Sequence, residues 1–159
     1  MTETRGLDDR RRNHGVERTT IIREHPIGLS TPRDQVSQGG HIARTLVLAD
    51  DRGDLRYALA VIPGDRRVDL AAIEREFGRR LRMARGDEIS LLFPGLPPST
   101  LLPVADELQL ETFVDQALVP LSEVYLETAD PSRLVRIEGE SFRSLLYAAW
   151  CGHISSLKS

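Results

Sequence analysis

Two apolar runs stand out along the chain, "ARTLVLAD" (43–50) and "DLRYALAVIP" (54–63), separated only by the turn signal "DRG". Runs of that kind joined across so short a turn predict a β-hairpin. Upstream, "ERTTIIREHP" (17–26) holds β-branched residues in a short run stopped by Pro26 and predicts a strand. "STPRDQVSQGG" (30–40) has a serine or threonine N-cap, an early proline and a closing glycine pair, which predict a short helix. In "DLAAIEREFG" (69–78), Leu70, Ile73 and Phe77 share one face, with Asp69 as N-cap and Gly78 as terminator, so an amphipathic helix is expected.

The pattern then shortens. "RLRMA" (80–84) predicts a short strand and "RGDEISLLFPG" (85–95) a short helix ended by proline and glycine. "FPGLPPSTLLPVAD" (93–106) is too rich in proline for regular hydrogen bonding and predicts a stiff loop. "LETFVDQAL", "EVYLETAD" and "RLVRIEG" predict three strands. Phe142, Leu145, Leu146 and Ala149 share one face of a closing helix in "ESFRSLLYAAW". Short strands and short helices without regular alternation predict an α+β domain or a mixed-sheet α/β domain rather than a doubly wound one. The 159 residues suit one domain over 18–150, preceded by a polar, disordered arm at 1–17 and followed by a tail at 151–159.

Composition narrows the chemistry. No apolar run approaches the roughly 18 residues of a membrane span, and "MTETRGLDDRRRNHGVER" has no apolar leader, so a cytoplasmic protein is expected. The single cysteine, Cys151, has no partner for an internal disulfide, and His14, His25, His41 and His153 are scattered, so neither metal nor cofactor is expected. No nucleophile elbow and no phosphate-binding glycine loop is present. The net charge is −3, yet arginines cluster in "DRRRNHGVER" and "EREFGRRLRMAR". That leaves open a basic face on an acidic protein or an ordinary solvated surface. Asp115 in "TFVDQ" is either a site acid or a turn cap at a strand end.

Two features do not look like filler. Arg44 repeats every second residue with Leu46 and Leu48, which places a guanidinium on a core face or on the wall of a cleft. Gly95, set among prolines, gives a rigid backbone with a point of close approach. A salt-bridged arginine and a stiffened connection explain the same two features without a site.

In order, "IIREHPIGLSTPRDQVSQGG", "HIARTLVLAD", "ALAVIPGDRRVDLAAIEREFG", "RMARGDEI", "PGLPPSTLLPV", "ETFVDQALV" and "EVYLETAD" resemble the YbaK family, also called the prolyl-tRNA synthetase-associated editing domain. The resemblance covers about residues 18–147. It implies a YbaK-like fold, a strongly curved central mixed sheet with flanking short helices and a cleft along one side. It also implies hydrolysis of the ester between a mischarged amino acid and the terminal adenosine of tRNA. Carried onto this chain, the catalytic positions are Arg44 and Gly95, and the substrate-binding positions are His25, Thr45, Leu96, Pro98, Ser99, Thr100 and Asp115. The implied partner is the 3′ end of an aminoacyl-tRNA, with a synthetase or a signalling domain as a further candidate.

The chain departs from the family at defined positions. Arg44 stands at the family's lysine, and the only lysine present is Lys158. Thr100 replaces a loop glycine, and Ala129-Asp130 replaces a small turn. Arginine keeps a fork of donors but cannot act as a neutral amine. Two functions are therefore expected in competition: an aminoacyl-tRNA deacylase, or a catalytically silent binding or regulatory module that keeps the cleft.

Overall fold

The computed structural model describes residues 28–50 and 56–158. The expected arm at 1–17, the strand at 17–26, His25 and the turn at 51–53 lie outside the described residues. Ten strands are described: β1 (Gly28–Pro32), β2 (Ile42–Asp50), β3 (Arg56–Pro63), β4 (Arg66–Val68), β5 (Arg82–Met83), β6 (Glu111–Asp115), β7 (Glu123–Glu127), β8 (Arg133–Glu138), β9 (Trp150–Gly152) and β10 (Ser155–Leu157). Three α-helices accompany them, α1 (Leu70–Phe77), α2 (Gly86–Leu92) and α3 (Gly139–Leu145).

The fold is mixed α/β, as the pattern predicts. One 8-stranded mixed sheet runs in the order β9-β6-β3-β2-β7-β8-β1, with β5 paired to β2 off that path, and β10 pairs with β4 in a second, 2-stranded sheet. The two apolar runs form the expected antiparallel pair, in register from Ala43↔Pro63 to Asp50↔Arg56. Parallel pairs β3–β6, β6–β9 and β2–β7 join it to the rest.

Alternation along β2 and β3 builds a core on each face. On one face Leu48, Ala60 and Ile62 pack with Phe113, Ile154 and Ile73 of α1, and Phe77 tilts against Phe113 with ring centroids 5.2 Å apart. On the other, Val47 and Leu59 meet Phe93 and Leu101, while Ala43 and Val61 meet Leu102, Val114 and Phe142. Helix α1 starts where expected: the Asp69 carboxylate accepts the Ala72 N–H at 3.0 Å, and Gly78 closes the helix at φ 69°.

Three expectations are corrected. Residues 30–40 are not an α-helix but the end of β1 followed by 3₁₀ turns at Arg33–Gln35 and Gly39–His41. Pro32 is extended at ψ 134°, no side chain caps either turn, and neither turn has a buried residue to hold it on the core. The closing helix ends at Leu145, short of Trp150. The tail expected at 151–159 is, over its described residues, part of the fold: residues 150–152 extend the large sheet beside β6, and Ser155–Leu157 pairs with Val68–Arg66, with Asp115 holding the Ile154 N–H between them.

Candidate functional site

β2 carries a gap along one edge. Its other edge is filled by β3 from Ala43 onward. On the open edge, β7 pairs only at Ile42↔Tyr125 and Ala43↔Leu126, and β5 begins only at Leu48↔Met83. Ala84 N–H extends that second contact to the Val47 carbonyl at 3.0 Å. Residues 44–46 are left without a strand neighbour on this side, and two of them, Arg44 and Thr45, are expected site positions.

Arg44 pairs across β3 with Ile62 and so shares the face of Leu46 and Leu48. It is half-buried, and among the described residues no carboxylate lies within ion-pair distance of it and no group accepts a hydrogen bond from it. The structural explanation available from sequence, a salt-bridged arginine, finds no partner there. Thr45 points to the opposite face with Val61 and is buried.

The proline-rich loop reaches this gap. At its start the Leu96 N–H returns to the Phe93 carbonyl at 3.0 Å, with Pro94 and Gly95 between, and Gly95 at φ 77° gives the form of a type II turn. Gly95 and Leu96 are exposed. A Cβ built on Gly95 meets nothing within 4 Å, so backbone conformation rather than crowding calls for glycine. Next comes the 3₁₀ turn Pro98–Thr100, which lies against both β2 and β7. The Ser99 hydroxyl donates to the Thr128 carbonyl at 3.0 Å, fastening the loop to the end of β7. Thr100 is spent locally, its hydroxyl and its N–H both donating to the Pro97 carbonyl. The loop's apolar anchors, Phe93 and Leu101, pack on the face opposite Arg44, so the loop crosses the open edge rather than lying over the guanidinium.

Polar residues line β7 on the Arg44 face. Residues paired across a ladder share a face, so Tyr125 lies with Ile42, and Glu123 and Glu127 alternate with it. Glu123 is engaged at both oxygens, by Arg136 at 2.7 Å and by the Tyr125 hydroxyl at 3.2 Å. The Arg136 guanidinium holds the Glu123 carboxyl below its usual range, and burial pushes the Tyr125 phenol up. Glu127 accepts from Arg33 at 3.0 Å. Sequence reasoning passed over Arg33 and Glu127, although the polar residue at every second place of "EVYLE" is the signal that marks a wetted strand face.

Asp115 does not belong to this site. It is fully buried, and its carboxylate accepts from Ala117 N–H at 2.9 Å, Ile154 N–H at 3.1 Å and the Ser155 hydroxyl at 2.6 Å. It caps the 3₁₀ turn at Gln116–Leu118 and ties down the C-terminal strands, so the turn-cap reading replaces the substrate-binding one. A separate groove of about 820 Å³, with Asp50, Arg56, Arg79, Gln109 and Glu111 in its wall, includes none of the expected positions. Among the described residues no cluster of histidine, cysteine or carboxylate is placed to hold a metal ion, and no helix is long and apolar enough to cross a membrane.

A family model described as the aminoacyl-tRNA editing domain matches residues 33–145. Several solved structures share the fold. A proposed trans-editing enzyme for prolyl-tRNA synthetase is 19% identical, with TM-score 0.67, and the match covers 94% of this chain and 99% of that one. The hypothetical protein APE2540 is 23% identical, with TM-score 0.64 and coverage of 89% and 99%. A proposed signal-transduction protein from Marinobacter aquaeolei VT8 is 23% identical, with TM-score 0.67; the match covers 88% of this chain but spans only 30% of that protein. No curated protein matches the chain.

Proposed function

The chain belongs to the aminoacyl-tRNA editing domain family, and on that premise we propose that it is a deacylase that frees a wrongly attached amino acid from tRNA. Water adds to the ester carbonyl, the bond to the ribose oxygen breaks, and that oxygen leaves with a proton as the tRNA's terminal hydroxyl. The acyl part leaves as the free amino acid. This reaction needs fixed donors aimed where negative charge grows more than it needs a protein nucleophile.

The observation that carries the reading is the guanidinium of Arg44, without a partner among the described residues, at the gap in the edge of β2. In a fold that pairs at least six other arginines with carboxylates, Arg44 is a cation of the central strand that no described residue neutralises. In the proposed role its N–H fork donates to the carbonyl oxygen as the tetrahedral intermediate forms. The turn at Pro98–Thr100, fastened through Ser99 to Thr128 at the end of β7, lies against both strands that flank the opening.

The test is release of amino acid from a panel of mischarged tRNAs, with the chain and its Arg44→Ala variant side by side. Release that depends on Arg44 is the expected result. A folded wild-type protein that releases nothing from any member of the panel overturns the reading.

A further inference from the structure

β2 and β7 part company after Ala43 and Leu126, and the next residue on each strand is charged: Arg44 on one, Glu127 on the other. Both lie on the face of Ile42 and Tyr125, two positions further along their strands. Opposite charges at neighbouring positions normally pair. Here they do not, since no ion pair joins them.

Arg33 accounts for part of that. Its Nε donates to the Pro131 carbonyl at 2.8 Å, which anchors the guanidinium, and its NH2 group reaches Glu127 Oε2 at 3.0 Å. The carboxylate is thus steadied by one oxygen only. Oε1 has no partner among the described residues, and the Glu127 side chain keeps 21% of its surface exposed. The carboxylate four residues earlier on the same face, Glu123, has both oxygens occupied. Among the described residues Glu127 is therefore the carboxylate of β7 with a free acceptor oxygen, and it sits across the gap from Arg44, which no described group neutralises.

We propose that Glu127 receives the α-ammonium of the esterified amino acid, so that the cleft selects esters with a free amino group. The inference rests on the deacylase reading. An aminoacyl ester carries its ammonium one carbon away from the reacting carbonyl, so one substrate group meets both charges: the carbonyl faces Arg44 and the ammonium faces Glu127. The arrangement is independent of the amino acid's side chain, which makes the α-amino group, rather than pocket shape, the common feature recognised. A charge-assisted hydrogen bond of this kind is worth about ten- to a hundredfold in affinity.

Two stable analogues test it: adenosine carrying L-alanine on its 3′ position through an amide, and the same compound with a hydroxyl in place of the α-ammonium. Calorimetric titration of the wild-type chain is expected to favour the ammonium compound by about ten- to a hundredfold. In Glu127→Gln the two affinities should converge. Equal affinities in the wild type, persistence of the preference in Glu127→Gln, or no binding of either compound at millimolar concentration overturns the proposal. If the variant fails to fold, the wild-type comparison decides alone. The same pair as tRNA esters separates this proposal from the one it rests on. Release without regard to the ammonium leaves the deacylase and removes Glu127 from recognition. Ammonium-dependent binding of the amides with no release from any ester keeps Glu127 and removes the deacylase.

Discussion

Arg82 and Glu88 meet in a two-pronged pair, each guanidinium NH group donating to one carboxylate oxygen at 2.9 Å. The pair joins β5 to the first turn of α2, the helix that leads into the proline-rich loop. Glu88 is buried and also accepts the Arg85 N–H at 2.7 Å and the Tyr57 hydroxyl at 3.1 Å. The Arg82 fork, aided by the Arg85 N–H, lowers the Glu88 carboxyl to about 2, from an ordinary value of 4.5. A depressed carboxylate stabilises the fold fully above its unfolded value and loses that contribution as pH falls through its folded value. Glu88→Gln should therefore melt below the wild type at pH 7, with the gap narrowing between pH 4.5 and about 2. Thermal melts at pH 7 and pH 3 check this; a gap that is the same at both would contradict it.

Asp115→Ala should cost about 3–5 kcal/mol, since it strands two backbone N–H groups and a hydroxyl inside the protein. The Ser155→Ala variant, which removes only one of those donors, should cost about 1 kcal/mol or slightly more. Denaturant midpoints of the two variants rank them. Equal costs would mean that the backbone contacts to Asp115 contribute little.

Arg44→Ala should change stability by less than about 1 kcal/mol, because no described group depends on it. Hydrolysis of a mischarged tRNA should fall by about a hundred- to a thousandfold, the usual loss for a fixed oxyanion donor. Arg44→Lys keeps the charge and is expected to preserve or raise hydrolysis. A large stability loss in the alanine variant with little loss of hydrolysis would make Arg44 a structural residue.

Glycines 95 and 28 should respond differently to alanine. At Gly95 the cost is conformational, about 1–2 kcal/mol for a left-handed residue, with open space around the new methyl. At Gly28 a Cβ would fall 1.7 Å from the Arg136 carbonyl oxygen, so β1 must move off β8. The amide exchange of β8 should accordingly quicken in Gly28→Ala and stay unchanged in Gly95→Ala.

The hairpin of β2 and β3, helix α1 with both its caps, and the stiff loop were legible because each depends on local signals: alternation, a 3.6-residue stripe, an aspartate cap, clustered prolines. Residues 30–40 carried helix-start chemistry but lacked an apolar stripe to dock, and pairing of β1 with β8, a hundred residues away, prevailed. β4, β9 and β10 are too short to show a period, and they exist through partners distant in sequence. In the site, Arg44 and the loop were visible as oddities of composition. The gap in β2's edge was not, because it arises where two separate strands, β7 and β5, each stop short. Asp115 was ambiguous for the same reason: its partners Ile154 and Ser155 are some forty residues further on.

The placing of β9 and β10 has a consequence for synthesis. During translation β6 emerges with one edge bare and Asp115 without two of its three donors, and both wait until residues 150–157 leave the ribosome. The stretch matched by the family model, 33–145, is complete before then but still lacks the strand that covers the edge of β6. A nascent chain halted at residue 145 should remain open to protease at β6, and the step to a protected fold should come only with the final strands.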